Sequence, residues 1–393
     1  MEGTTSPSAP AHVLIAGGGF GAVETMLALR ALAPERVRVT LVSASPTLAY
    51  KPAATAEAFD ESPPRTYDLQ AIAEDAGASF RVDRLEAVAS HEHRVRLASF
   101  TRLDYDALVL AIGARALIGI PGALTFHDQR EVHHIRRMTS SLRAGQLQRI
   151  VFAVPRGCAW PLPLYELALL TATELEDGGG TGEVVLASPE LTPLQVFGPQ
   201  ASRLVADLLA ERDVRFIGNC APESVQRGGT LSLRSGGTVE GDCVITVPEL
   251  RGPRITGVPA DRDGFVTTNS LGGVIGLADV YAAGDMTNFP IKQGGLAAQQ
   301  ADLIAQRIAS TYATDAKELR AQHVLRARLI GGAHPIFLRT VLDEFGQATS
   351  ATLQHESFEE DESSTAPEKV FGRYLTPYLH TREPMLAHSL TDG

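Results

Sequence analysis

Apolar residues near the start of the chain form two short blocks with a longer periodic stretch between them. The blocks His12–Ala16 and Val37–Val42 predict two strands, because each is a short, nearly continuous apolar run. Between them, about Gly21–Ala33 predicts a helix with apolar residues on one face, which Pro34 ends. A strand, a helix and a strand in this order predict a parallel sheet with a right-handed crossover.

The alternation of strands and helices continues along the chain. Further strands are predicted at Phe80–Val95 with a charged turn at 91–93, within Asp104–Ala114, and at Arg149–Val154, Gly182–Ser188, Val214–Gly218, Cys243–Val247 and Asp279–Asp285. Further helices are predicted at Arg65–Ala78, Val132–Leu142, Leu164–Glu176, Gln200–Arg212 and Gly294–Thr311. From about Arg149 the pattern repeats the first plan, which predicts an α/β protein with two Rossmann-like dinucleotide-binding domains, each with a three-layer β/β/α arrangement.

The turn between the first strand and the first helix is rich in glycine. Residues 12–24, HVLIAGGGFGAVE, fit G-x-G-x-x-A with Gly17, Gly19 and Ala22. Gly17 allows the tight turn, Gly19 lets the backbone approach a pyrophosphate, and the helix N-terminus offers free N–H groups to phosphate. Such a turn indicates a dinucleotide site, although it also occurs without a ligand. The acidic residue that usually follows the second strand and takes the ribose hydroxyls is replaced by Ser43.

The corresponding loop of the second domain has a different composition. Pro155–Pro163 contains one glycine, three prolines and Trp160. Each proline lacks an N–H group, and Trp160 takes space that a pyrophosphate needs. We therefore expect the second domain to keep the fold without an ordinary NAD(P) site.

Composition narrows the class of protein. The 393 residues are enough for two or three domains, and 44% are apolar, which indicates a globular protein. The net charge of −11 argues against nucleic acid and anionic membranes as main partners. Three cysteines form neither a disulfide framework nor a zinc pattern, so we expect a cytoplasmic protein without a metal site. Residues 1–11 are predicted to be a flexible tail rather than a secretory signal, and no apolar run is long enough to span a membrane.

Three motifs in order resemble one superfamily. GGGFGAVE near the start, YDALVLAIGA near 110 and DVYAAGD near 280 resemble the FAD/NAD(P)-dependent pyridine nucleotide–disulfide oxidoreductases. The most similar branch contains the sulfide:quinone oxidoreductases and the type II NADH dehydrogenases. The resemblance covers roughly residues 11–310. It implies an FAD domain split into 12–118 and 249–315, a second domain at 119–248, and a C-terminal interface segment at 316–393 with a solvated acidic loop at Glu356–Glu362.

The resemblance also implies where FAD binds. The implied contacts are Gly17, Gly18, Gly19, Phe20, Gly21, Ala22, Ser43, Lys51, Pro52, Leu85, Gly113, Gly284, Asp285, Lys292, Gly294 and Gly295. Ser43 would lie at the adenosine ribose, the Leu85 backbone at the adenine, and Lys51 and Pro52 beside the isoalloxazine. Asp285 would accept hydrogen bonds from the ribitol or adjoining phosphate region, since a carboxylate at a strand end is a fixed acceptor.

Two residues are candidates for catalysis. Lys292 would stabilise the negative charge of reduced flavin, unless it is only an exposed lysine ahead of a helix. Cys158 lies where the sulfide:quinone oxidoreductases carry one of two redox cysteines. No cysteine follows Cys243, so the two-cysteine relay is incomplete, and Cys158 acting as a single thiol stays open.

The C-terminal part carries one apolar patch, Ala327–Phe345, which is interrupted by Gly331, Gly332 and Pro335. We interpret it as a domain or homodimer interface rather than a membrane anchor, with peripheral membrane contact left open. Val370–Leu379 is apolar again and is expected to dock back onto the protein.

The sequence therefore predicts an FAD-dependent oxidoreductase that passes a hydride or an electron pair through a bound flavin. Its electron donor and acceptor are small molecules, with a quinone, a sulfur compound and NAD(P)H as candidates. One alternative is an NAD(P)H dehydrogenase, which the Pro155–Pro163 loop opposes. Another is a non-catalytic flavoprotein module, because no pair of acid–base or redox residues is identifiable beside the flavin.

Overall fold

A computed structural model of the chain describes residues 9–60, 63–312, 319–331, 334–349 and 369–385. Its first sheet has five parallel strands in the spatial order Val280–Ala282, Ala107–Leu110, Ala11–Ala16, Val37–Ser43 and Ser79–Val82. Parallel strands need crossovers, and the helix Phe20–Leu32 supplies the first of them. The predicted strand–helix–strand unit at the start of the chain is confirmed.

The first sheet is covered by a different layer on each face. Val13 and Ile15 of its central strand join an apolar cluster with the helices, whereas Leu14 and Ala16 join a cluster with a three-stranded antiparallel sheet. Successive side chains of a strand point to opposite faces, so the continuous apolar run of this strand reflects burial on both sides. This gives the predicted three-layer β/β/α arrangement.

The second domain repeats the arrangement. Its parallel sheet has the order Leu124–Thr125, Cys243–Thr246, Arg149–Ala153, Glu183–Ala187 and Val214–Ile217. Ile150 and Phe152 face helices, whereas Val151 and Ala153 pack against a second small antiparallel sheet. The fold is therefore α/β with two Rossmann-like domains, as predicted.

The remaining elements complete both domains. The other α-helices are Ala54–Glu57, Leu69–Asp75, Val132–Arg143, Leu162–Gly178, Pro199–Glu211, Gly294–Thr311 and Leu375–His380. The two small antiparallel sheets are Leu85–Ala89 with Arg94–Leu97 and Arg102–Asp104, and Pro222–Val225 with Leu231–Leu233 and Thr238–Val239. The paired strands are Thr47–Ala49 with Thr66–Asp68, Arg115–Leu117 with Glu249–Arg251, and His323–Leu329 with Ile336–Leu342. None of the described helices is long and apolar enough to cross a membrane.

The second sheet is inserted into the first domain along the chain. All its strands come between Ala107–Leu110 and Val280–Ala282, which are neighbours in the first sheet. The chain passes out and back through the antiparallel pair Arg115–Leu117 and Glu249–Arg251. The first domain is therefore split, while the domain limits at residues 118, 248 and 315 stay predictions.

Two of the predicted elements have different bounds. The helix predicted at Arg65–Ala78 is only Leu69–Asp75, because Asp68 caps its start by accepting a hydrogen bond from the Gln70 N–H at 2.8 Å. The strand predicted at Phe80–Val95 breaks into three strands that belong to two sheets. The Asp83 carboxylate holds the first break by accepting from the Arg84 N–H at 2.8 Å.

The patch Ala327–Phe345 belongs to a β-hairpin and not to an amphipathic helix. The strands His323–Leu329 and Ile336–Leu342 pair antiparallel, and Leu325, Leu329 and Leu338 pack into the core of the second domain. The patch therefore forms a domain interface, whereas a homodimer stays a prediction.

The C-terminal segment 369–385 docks on the first domain, as expected for Val370–Leu379. Val370, Leu375 and Leu379 join its helix-side apolar cluster. The buried Glu24 carboxylate accepts hydrogen bonds from the N–H groups of Tyr374 and Leu375 at 3.0 and 2.6 Å. The acidic loop at 356–362 lies outside the described residues, as does the tail up to residue 8. Ala11 starts the first strand, so the predicted tail is too long at its end.

Candidate active site

Both parallel sheets direct strand ends toward one cleft. Ala111, Ala283 and Val247 each follow a strand shortly after its carboxyl end, and all three line the cleft. Ligands of open parallel sheets bind at this edge. The cleft holds about 420 Å³, which lies within the roughly 300–1,000 Å³ of a pocket for one small ligand. Residues from both domains line it.

The glycine turn forms one wall of this cleft. Gly18, Gly19 and Gly21 line it, and Gly19 is the N-cap of the helix Phe20–Leu32, which no side chain caps. A Cβ at Gly19 would meet no atom within 4 Å, so the backbone faces open space. The free N–H groups and the positive dipole end of this helix suit a phosphate group.

Gly17 has a packing role instead. Its φ is +136°, and a Cβ there would lie 2.1 Å from the carbonyl oxygen of Ala111 on the neighbouring strand. Only glycine adopts this conformation at such a close approach. Gly17 therefore shapes the turn without lining the cleft.

Asp285 offers a free acceptor on another wall. It follows the strand Val280–Ala282, and its carboxylate accepts no hydrogen bond from the residues that the structure describes. Burial raises the pKa of Asp285, while the charges of Lys292 and Lys51 act in the opposite direction. A partly buried carboxylate without a protein donor fits a ligand hydroxyl.

Lys292 is buried, with 9% of its surface exposed, so the interpretation as an exposed lysine ahead of a helix is wrong. Its ammonium donates to the Thr287 carbonyl oxygen and lies 4.1 Å from the ring centroid of Phe265. Burial lowers the pKa of Lys292 to about 8, although Asp285 and Asp261 act to raise it. The lysine therefore keeps most of its charge at neutral pH.

The structure brings most of the predicted site residues to the cleft. Those that line it are Gly18, Gly19, Phe20, Gly21, Lys51, Pro52, Gly113, Cys158, Gly284, Asp285, Lys292 and Gly294. Those that do not are Gly17, Ala22, Ser43, Leu85 and Gly295. Ser43 is buried, and its hydroxyl accepts a hydrogen bond from the Ser45 N–H at 3.2 Å. Leu85 packs in the apolar cluster beneath the antiparallel sheet of the first domain. The roles of these residues toward FAD stay predictions.

Cys158 lines the cleft as a protonated thiol. Burial raises its pKa to about 12, Glu190 adds to this effect, and the Trp160 N–H acts against it. The thiolate is the nucleophilic form, so this environment disfavours a reactive cysteine. Cys220 and Cys243 do not line the cleft, which leaves Cys158 without a nearby cysteine partner in the described part of the chain.

The sequence interpretation missed an ion pair in the cleft wall. The Lys369 ammonium lies 2.7 Å from Glu166 Oε2, with side chains that are 10% and 2% exposed. The Thr55 hydroxyl donates a hydrogen bond to the same Glu166 oxygen at 2.8 Å and accepts one from Lys369 Nζ at 2.8 Å. A signal existed, since Glu166 is the one charged residue in the apolar run Leu162–Leu170 of a predicted helix. Its partner is about two hundred residues away, and no local pattern indicates it.

The second domain has an acidic residue two positions beyond Ser188, which corresponds to Ser43 at the ribose position of the first domain. This residue, Glu190, follows the strand Glu183–Ala187. Its Oε2 already accepts from the Tyr165 hydroxyl at 2.7 Å and the Ser188 hydroxyl at 3.1 Å. The carboxylate is thus engaged within the protein, which agrees with the unusual Pro155–Pro163 loop.

The residues of the cleft fit FAD. The open N-terminus of the helix Phe20–Leu32 matches a pyrophosphate, and Asp285 matches a hydroxyl donor. Lys292 and the N-terminus of the helix Gly294–Thr311 add positive charge to the same cleft. A split Rossmann-like domain with this cleft, beside a second domain of the same plan, is the arrangement of a dinucleotide-binding protein.

The family comparison agrees with this class. The family model of the pyridine nucleotide-disulphide oxidoreductases matches residues 11–153 and 166–306. The chain belongs to this family, so the resemblance inferred from the three motifs is confirmed.

Individual relatives are distant. The chain is 26% identical to a sulfide-quinone reductase of Aquifex aeolicus over 64% of its own length and 61% of that protein. It is 25% identical to an alternative NAD(P)H-ubiquinone oxidoreductase of Arabidopsis thaliana over 72% of its own length and 62% of that protein. The chain thus spans less than two thirds of either relative. The solved sulfide:quinone oxidoreductase of Aquifex aeolicus superimposes with a TM-score of 0.75 at 21% identity, covering 84% of this chain and 83% of that one, which shows the shared fold.

Proposed function

We propose that the chain is an FAD-dependent oxidoreductase that passes an electron pair between two small molecules. The observation that carries the proposal is the carboxylate of Asp285, which has no protein donor among the described residues and shares one cleft with the open N-terminus of Phe20–Leu32. Bound FAD would supply two-electron redox chemistry. The family membership supports the cofactor, because flavin enzymes are what the three motifs resemble.

Each wall of the cleft has a separate task in this proposal. The N–H groups after Gly19 bind the pyrophosphate, and Asp285 accepts a hydrogen bond from a ribitol hydroxyl. The Lys292 ammonium and the N-terminus of Gly294–Thr311 stabilise negative charge on the reduced ring system. These groups make reduction of the flavin easier.

A quinone-like acceptor suits the wall that the second domain contributes. Trp160, Leu162 and Val247 give this wall an apolar surface, and Glu166 with Lys369 is its buried polar contact. Reduction of a quinone consumes two protons, and a carboxyl or ammonium group within hydrogen-bond reach can deliver one. Two relatives carry a quinone in their names, which favours the same acceptor class.

The residues of the cleft disfavour two familiar electron donors, NAD(P)H and a sulfur compound that reacts through a cysteine pair. NAD(P)H binding is disfavoured because three prolines of the Pro155–Pro163 loop offer no N–H group and Trp160 takes space that a pyrophosphate needs. A sulfur relay is disfavoured because Cys158 is a protonated thiol without a second cysteine near it in the described chain. We therefore propose a donor that reacts with the flavin directly.

Anaerobic reduction of the purified protein tests this proposal. We expect that NADH and NADPH leave the flavin oxidised, and that chemically reduced flavin is reoxidised rapidly by a short-chain quinone. Rapid, saturable bleaching by NADH would favour the NAD(P)H dehydrogenase alternative. A flavin that neither a quinone nor another small acceptor reoxidises would favour the non-catalytic module.

A further inference from the structure

A contact joins the two domains at the cleft. Lys51 starts the 3₁₀ turn Lys51–Ala53 in the first domain, and His127 lies ahead of the turn Gln129–Glu131, which leads into the helix Val132–Arg143. Both residues line the cleft, and the Lys51 side chain is 47% exposed, which places it near the mouth. Lys51 Nζ lies 2.9 Å from His127 Nε2.

The chemistry of this hydrogen bond fixes the state of the histidine. A lysine ammonium has three donors and no acceptor, so Nε2 of His127 must accept. An accepting Nε2 requires a neutral imidazole with its proton on Nδ1. A protonated imidazole would turn a second N–H toward the ammonium, and the contact would become a repulsion between two cations.

The segment that carries His127 is firmly held. The Glu131 carboxylate accepts from the backbone N–H groups of His127 and Asp128 at 3.1 and 3.0 Å. Arg130 in turn donates to both oxygens of Asp128 at 2.9 and 3.0 Å. The imidazole is therefore presented from a fixed backbone, and the long Lys51 side chain is the partner that can move.

Nearby charges favour the neutral imidazole. Burial lowers the pKa of His127, and the cations Lys51 and Arg130 lower it further, while Asp128 and Glu131 act in the opposite direction. Asp128 Oδ2 lies 3.8 Å from both Lys51 Nζ and His127 Nε2, too far for a hydrogen bond to either. At neutral pH the hydrogen bond between Lys51 and His127 is therefore intact.

We propose that His127 is a positioning residue that holds Lys51 at the cleft while its imidazole is neutral and releases it when protonated. Acid then loosens the contact between the two domains at the cleft mouth. The contact between Lys51 and His127 needs no cofactor, and only its effect on cofactor retention rests on the proposed FAD site.

The direction of the pH dependence follows from linkage. A histidine whose pKa is lower in the folded than in the unfolded chain contributes fully above its ordinary pKa of about 6.5. The contribution is lost as the pH falls below this value and through the folded-state pKa. The contact is therefore closed near pH 7.5 and opens progressively as the pH falls below about 6.5.

Amide hydrogen exchange of the purified full chain tests the contact itself. We compare wild type with His127→Gln, whose amide oxygen can accept from Lys51 without titrating, and with His127→Ala, which has no acceptor. After correction for the intrinsic exchange rate, wild type should open about fivefold more readily at pH 5.5 than at pH 7.5 in peptides spanning 48–58 and 126–131. The Gln variant should stay protected at both values and the Ala variant at neither. Equal acid loosening in wild type and His127→Gln would overturn the proposal, as would wild-type protection of His127→Ala at pH 7.5.

The release of FAD from the same variants tests the consequence for the cofactor. Wild type should release FAD about fivefold faster at pH 5.5 than at pH 7.5, and His127→Gln should lack this acceleration. An identical acceleration in both would contradict the role of His127 in holding the cofactor. A chain that binds no FAD at all would contradict the proposed function. The hydrogen-exchange experiment would still test whether His127 holds Lys51.

Discussion

At the scale of single residues, Lys292 places a buried positive charge in the wall of the cleft. Its ammonium is buried among Asp285, Thr287 and Phe265 at the start of the helix Gly294–Thr311. A fixed positive charge beside a flavin favours the reduced, more negative state. Under the proposed function, the charge of this buried lysine would raise the potential of the bound cofactor.

We predict that Lys292→Met lowers the midpoint potential of the bound flavin by about 30 mV at pH 7, the two-electron equivalent of about 1.4 kcal/mol. The pKa of Lys292 is lowered to about 8, so wild-type Lys292 loses its charge above this pH, and the two potentials should converge there. Equilibration with reference dyes at several pH values measures both effects. Equal potentials at pH 7, or a difference that persists at high pH, would exclude this role.

Some site residues could be predicted from the sequence because their signals are local. The turn at Gly17–Gly21 carries its own spacing, and Asp285 directly follows a strand motif. Glu166 and Lys369 carry no such spacing, because their contact depends on how the C-terminal segment crosses both domains. The Tyr165–Glu190 contact was equally invisible, since it requires the register of two neighbouring elements.

At the scale of elements, periodicity located strands and helices well but not how they join. The bounds Gly294–Thr311 agree with the sequence pattern, since one apolar stripe faces the core along the whole helix. The sequence pattern of the patch Ala327–Phe345 did not predict its strands. Gly331 and Pro335 interrupt the patch, and the buried and exposed faces of its two strands become distinct only when the strands pair. Pairing partners and the surface they cover are tertiary facts that a single stretch of sequence does not contain.

Glu24 attaches the C-terminal segment to the first helix, and we predict that Glu24→Gln lowers the free energy of unfolding by about 1–3 kcal/mol. The variant keeps one acceptor oxygen where two now receive the N–H groups of Tyr374 and Leu375. Urea unfolding followed by circular dichroism measures the change. Glu35→Gln, an exposed position just beyond the same helix, serves as the control and should change stability by less than about 0.5 kcal/mol.

The pH dependence gives a second test of Glu24. Burial raises the pKa of Glu24, although the backbone N–H groups of Tyr374 and Leu375 lower it. The folded chain then holds this proton above the pH at which the unfolded chain loses it, so stability falls as the pH rises through the folded-state pKa. The loss in free energy of unfolding caused by Glu24→Gln should therefore be smaller at neutral than at acid pH. A loss that is the same at every pH would count against a buried carboxyl with a raised pKa.

At the scale of the whole molecule, three parts of the chain meet at one ion pair. Thr55 comes from the first domain, Glu166 from the second and Lys369 from the C-terminal segment. The N–H of Lys369 also donates to the Tyr50 hydroxyl at 2.9 Å, which fixes the segment on the first domain. The cleft wall therefore exists only when both domains and the segment are assembled.

We predict that Glu166→Gln slows reoxidation of the reduced flavin by a quinone about a hundredfold and leaves its chemical reduction unchanged, because the Glu166 carboxylate would hold the Lys369 ammonium that delivers a proton. Stopped-flow measurement of each half-reaction separates the two effects. Glu174→Gln on the same helix, where Glu174 pairs with Arg143 at 3.4 Å near the surface, is the matched control. A loss shared by both half-reactions would instead indicate damage to the cleft.

The flavin content of the purified protein tests the central claim most directly. We predict close to one FAD per chain by visible absorption and by chromatography of the released cofactor. Asp285→Asn should retain much less FAD, whereas Asp279→Asn, at the opposite end of the same strand Val280–Ala282, should retain the wild-type amount. A colourless protein that takes up no FAD, or equal retention by both variants, would contradict the account.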